Sequence, residues 1–129
     1  MIQLAITSFG YLHGPAPEAT AVIDLRNHLR DPHVDPAFRQ LTGFDLAVHD
    51  KVLAAPGAAN MRVALAELAA ALLHTGSEKL VTIALGCAGG RHRSVVLAND
   101  LANVMRVCGW QGELEHRDID KPVIHRTTK

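Results

Sequence analysis

The chain has 129 residues, 48% of them hydrophobic, enough to bury a core without metal or disulfide staples. Thirteen Lys and Arg balance thirteen Asp and Glu, which excludes the bulk field that draws nucleic acid or an acidic membrane surface, so anion binding must come from local placement. Eight histidines add positive charge on mild acidification, and two cysteines with no secretory segment before them read as free thiols in a soluble, cytoplasmic protein.

The elements follow in order. "IQLAITSFG" alternates and is β-branched, as a first strand ending at Gly10 would be, and "AVIDLR" at 21–26 has strand length. Between them "YLHGPAPEAT" holds Gly14, Pro15 and Pro17, a loop with His13 near its start. Residues 27–60 carry three of the six prolines and read as a long irregular connection, with "DPAFRQL" and "FDLAVHDKVLA" as its helical turns. Asn60 is placed to cap a helix whose Met61, Leu65, Leu68 and Leu72 share one face, and Gly76 to end it. "KLVTIALG" at 79–86 is nearly continuous in apolar residues, the pattern of a strand buried on both faces. Val95, Leu97, Leu101, Val104, Met105 and Cys108 then form a helical stripe that Gly109 terminates, and "GELEHRD" suits a last strand. The expected fold is α/β: one three-layer-like domain over residues 1–129, with a largely parallel sheet and a strand, glycine-rich loop and helix forming an anion site.

That loop is "GCAGGRHRS" at 86–94. A buried strand turning through Gly89 and Gly90 into a helix near Arg93 aims free backbone N–H groups and the helix dipole at one concavity. Arg93 adds a guanidinium, Ser94 a cap or a hydroxyl, and His92 a donor. Cys87 has two readings. "CAGGRHRS" fits Cys-x2-Gly-x2-Arg-Ser, the loop of cysteine-dependent phosphatases, with Cys87 as nucleophile and Arg93 as phosphate ligand. Against this, Gly86 stands where those enzymes usually place a histidine, and only Asp31 and Asp35 offer a general acid. The other reading makes Cys87 a small packed residue at a strand end.

"SFGYLHG" at 8–14, "VIDLRNHLRDPHVDPAFRQLTGFD" at 22–45, "LVTIALGCAGGRHRSVVLANDLA" at 80–102 and "EHRDIDK" at 115–121 together resemble the C-terminal domain of the RapZ/YvcJ family of RNase adapter proteins. The resemblance covers most of the chain. It implies an α/β domain that binds an amino-sugar phosphate such as glucosamine 6-phosphate, with His13, Arg26, Gly89, Gly90, His92, Arg93 and Ser94 as ligand-binding residues and no catalytic residue, metal or cofactor. RNA binding, through Arg91, Arg93, Arg117 and Lys121, and assembly into homo-oligomers are further implications. The P-loop pattern of the family's N-terminal kinase-like domain, Gly-x4-Gly-Lys-Ser/Thr, does not occur, so the chain is read as a stand-alone domain. Ala88 replaces the family's usual threonine, removing a hydroxyl worth roughly 1 kcal/mol of hydrogen bonding. The tail mixes Arg117, Lys121, Arg126 and Lys129 with Asp118 and Asp120, unlike the richly basic tails that bind RNA.

Overall fold

A computed structural model describes residues 2–29, 31–32, 35–76 and 79–124. Arg126 and Lys129 lie outside the described residues. The described chain runs β1 (Leu4–Gly10), a 3-10 turn (Tyr11–His13), β2 (Ala21–Asp24), a 3-10 turn (Pro36–Phe38), α1 (Leu46–Leu53), α2 (Ala58–Thr75), β3 (Val81–Cys87), α3 (Arg93–Val107) and β4 (Gly112–His116). The four strands form one sheet in the order β2-β3-β1-β4, and every pairing is parallel. All strands therefore deliver their carboxyl ends to one edge, where Gly10 lies opposite Cys87, Asp24 opposite Gly86 and Ser8 opposite His116. In open parallel sheets ligands collect along this edge.

Alternation along β1 and β3 points Leu4, Ile6, Val81, Ile83 and Leu85 to the face that meets Leu65 and Ala69 of α2 and Leu97, Leu101 and Met105 of α3. Each fully buried aliphatic side chain in this cluster contributes about 1.5–3 kcal/mol. A smaller cluster of Val48, Val52 and Val96 attaches α1 to α3. The long connection thus holds the two helical turns expected of it, a 3-10 turn at Pro36–Phe38 and α1. No described helix is long and apolar enough to cross a membrane.

Two details differ from expectation. The N-cap of α2 is Gly57, whose φ of 86° only glycine adopts readily, so Asn60 lies inside the first turn rather than capping it. Cys108, placed in the apolar stripe by spacing, is the exposed C-cap of α3. Beyond it the helix closes as a Schellman motif: Gly109 at φ 95° donates to the Arg106 carbonyl, and Trp110 donates to Met105.

The carboxyl edge is set by backbone crossing. A Cβ on Gly10 would fall 2.4 Å from the Gly89 carbonyl carbon and 2.6 Å from the Gly90 nitrogen, so the end of β1 and the loop after β3 meet with no room for a side chain. Gly86 is equally constrained, since a Cβ there would fall 2.4 Å from the Phe9 ring. A histidine at 86, as in the phosphatases, has no space. A Cβ on Gly89, by contrast, meets nothing within 4 Å. Gly10→Ala is therefore expected to lower stability by about 1–3 kcal/mol, and Gly89→Ala to stay within about 0.5 kcal/mol of the native chain. Thermal unfolding of both variants checks this, and equal losses would contradict the crossing.

Candidate functional site

Hydrogen bonds tie three segments to the loop between β3 and α3. Leu12 N–H donates to the Ala88 carbonyl (3.0 Å), Leu25 N–H to Gly86 (2.7 Å) and Gly43 N–H to Arg91 (2.7 Å). The N-cap of α3 is His92, which makes no side-chain capping bond. Ser94 is one residue inside the helix and fully buried; its hydroxyl donates to the Phe9 carbonyl and lies 3.1 Å from Cys87 Sγ.

The three basic residues of the loop serve different partners. Arg93, 2% exposed, sends Nη1 to the carbonyls of Leu25, Arg26 and His28 and pairs through Nη2 with Asp31 at 3.1 Å. Its guanidinium organises the chain after β2. His92, 5% exposed, donates from Nε2 to the Leu41 carbonyl at 2.8 Å, the only role open to a ring nitrogen facing a carbonyl. Burial pushes its pKa down, the Leu41 bond opposing, so it sits as a neutral ring. Arg91 donates through Nη1 to the carbonyls of Ile119 and Lys121 and through Nη2 to Gln40.

A cavity of about 20 Å³ opens at the loop, lined by His13, Asp31, Cys87, Gly89, Arg91 and His92, with Leu12, Val123 and Ile124 closing it. Two nitrogens on its lining residues, His13 Nε2 and Arg91 Nε, are buried without a hydrogen-bond partner. Such atoms cost about 1–3 kcal/mol each when nothing satisfies them. The fold thus brings His13 together with Gly89 and His92 at one cavity. Gly90 is the crossing residue behind it at φ 71°, and Ser94 and Arg93 are turned to the protein interior. Arg26 stands elsewhere, paired with Asp24 at 2.7 Å and stacked 3.7 Å over the Tyr11 ring. That pairing holds Asp24 at a pKa of about 2.

Asp118 is a residue that the loop pattern does not reveal. It is fully buried, accepts from Gly10 N–H at 2.8 Å and from Arg117 Nε at 3.0 Å, and has Lys121 Nζ 2.6 Å from Oδ1. Arg117 extends the brace to the carbonyls of Gly10, Gly14 and Pro15. Burial alone would raise the Asp118 pKa, but Arg117, Lys121 and the Gly10 N–H outweigh it and hold it down to about 2. Around the loop Arg93 pairs with Asp31, and Arg117 and Lys121 share Asp118, while Arg91 donates to main-chain carbonyls.

The chain matches the family RapZ C-terminal domain over residues 2–120. It belongs to that family. It is 42% identical to a nucleotide-binding protein of Rhodospirillum centenum, over 93% of this chain and 37% of that protein. It is also 42% identical to a nucleotide-binding protein of Symbiobacterium thermophilum, over 91% of this chain and 39% of that one. The RNase adapter protein RapZ of Sodalis glossinidius is 35% identical over 93% of this chain and 43% of its own length. The chain therefore spans about two fifths of the length of these relatives. Nothing in the arrangement or in these relatives favours phosphoryl transfer, because the Arg93 guanidinium that would hold the phosphoryl group is bound to carbonyls and Asp31.

The Asp118 brace has a pH signature. Its folded pKa lies below the unfolded value of about 3.9, so its stabilisation, about 2 kcal/mol, is full above pH 4 and is lost as pH falls towards 2. Asp118→Asn is expected to be less stable at pH 7 by about that amount, with the gap closing between pH 4 and 2. Unfolding followed by circular dichroism across this range checks it; a gap independent of pH contradicts it.

Proposed function

We propose that this chain is a non-catalytic module that binds a small phosphorylated ligand, an amino-sugar phosphate such as glucosamine 6-phosphate, at the loop between β3 and α3. The observation that carries this reading is the pair of unpartnered buried nitrogens, His13 Nε2 and Arg91 Nε, on residues lining the cavity beside Gly89. A phosphate satisfies donors of this kind, and the uncapped first turn of α3 supplies free N–H groups and a favourable dipole end. Open space at Gly89 lets the ligand approach the main chain, and Ala88 leaves phosphate recognition to these groups. Asp31, at the same cavity, is a carboxylate suited to an amino group on the sugar.

In this reading Arg93 and Ser94 support the loop from behind, Gly90 permits its turn, and Arg26 contributes its main-chain carbonyl to Arg93. Ligand occupancy serves regulation in the cytoplasm, and RNA or a protein is the output, as the name of the RNase adapter relative suggests.

Isothermal calorimetry with glucosamine 6-phosphate and inorganic phosphate tests the site. His13→Ala is expected to weaken both by about tenfold or more, the equivalent of one charge-assisted hydrogen bond. Gly89→Ala, which the fold tolerates, is expected to weaken them as well. Affinities that both substitutions leave unchanged contradict the proposal.

A further inference from the structure

The cavity has room for about one water molecule, whereas small-molecule pockets commonly span about 300–1,000 Å³. What closes it is the chain after β4. The Ile119 and Lys121 carbonyls lie 3.1 and 3.2 Å from Arg91 Nη1, and the side chains of Val123 and Ile124 complete the wall. Lys121 adds its contact to Asp118. The family match ends at residue 120, so Lys121, Val123 and Ile124 lie beyond the stretch it covers, while Ile119 lies within it.

We infer that residues 121–124 form an autoinhibitory strap that closes the anion site and engages Arg91, and that a phosphorylated ligand binds by displacing it. The inference rests on the ligand site proposed above. The Lys121 carbonyl oxygen stands on Arg91 as a phosphate oxygen would, but it is neutral, so a dianion competes with it effectively. Exchange is feasible because the strap past Lys121 is weakly held. Val123 is half-buried, Ile124 is 38% exposed, and Pro122 has no N–H with which to join a ladder. Displacing it opens Arg91 Nη1 to the ligand at a cavity that His13 and Gly89 already line, and couples ligand binding to release of residues 121–124.

A chain ending at Asp120 and the full-length double variant Val123→Ser/Ile124→Ser test this, each titrated with inorganic phosphate and glucosamine 6-phosphate beside the native chain. Circular dichroism reports folding. If the strap is closed nine-tenths of the time, its removal tightens apparent affinity about tenfold, and the double variant moves the same way. Amide hydrogen exchange at Lys121, Val123 and Ile124 of the native chain should speed up on adding ligand. Native and shortened chains of equal affinity, or weaker binding by the shortened one, overturn the strap and leave the site standing. Should the shortened chain fail to fold, the double variant decides by the same criteria. No binding by any of the three removes the site reading itself.

Discussion

The carboxyl edge of this protein depends on one contact without side chains, the passage of Gly10 at the end of β1 across Gly89 and Gly90 after β3. Parallel strands at ordinary spacing bring Gly10 and Cys87 side by side, and the chain must then turn away at once into α3. Only glycine at 10 and at 90 lets it do so, since a Cβ on either would enter the other strand's backbone, whereas Gly89 has open space. Asp118 fixes the crossing from below by accepting the Gly10 N–H, and Arg117 carries the constraint outward to the Gly14 and Pro15 carbonyls. His13 is held near the loop by this brace and by the bond from Leu12 to Ala88.

Charged groups here act chiefly as architecture. Arg93 gathers three carbonyls and Asp31, Arg117 gathers three carbonyls and Asp118, and Arg91 gathers the carbonyls of Gln40, Ile119 and Lys121. A planar guanidinium with five donors suits irregular segments whose backbone has no ladder to join. Carbonyls do not neutralise charge, so Arg91 keeps its positive charge beside the cavity. A second polar chain, from Ser8 Oγ to His116 Nδ1 and from His116 Nε2 to Asn99, joins β1, β4 and α3 with a ring whose pKa burial pushes down. It fixes the neutral tautomer and packs beneath Phe44.

Local chemistry made much of this legible. The apolar run of β3, the stripe of α3, the stop at Gly109 and the glycine loop between them each carry a local signal, and all-parallel pairing follows from strands separated by helices. The start of α2 was obscured because Asn60 is a good cap by type, while the residue that caps is a glycine chosen for its φ. The direction of the Arg93 side chain was not legible. Spacing marks an arginine after a glycine loop, but whether it faces a ligand or the Leu25 carbonyl depends on a segment almost 70 residues earlier. Asp118 and Arg91 escaped the candidate site for the same reason, their partners being distant in sequence. Gly86 is the reverse case: its departure from the phosphatase pattern was visible, and Phe9 supplies the cause.

A crystal structure of the protein grown with inorganic phosphate tests the central claim most directly. The account predicts the anion at the loop, within hydrogen-bond reach of His13 Nε2 and the main chain at Gly89, with residues 121–124 drawn back from Arg91. Phosphate bound instead at the exposed Arg26, with Val123 and Ile124 still closing the cavity and His13 Nε2 still unpartnered, would contradict it.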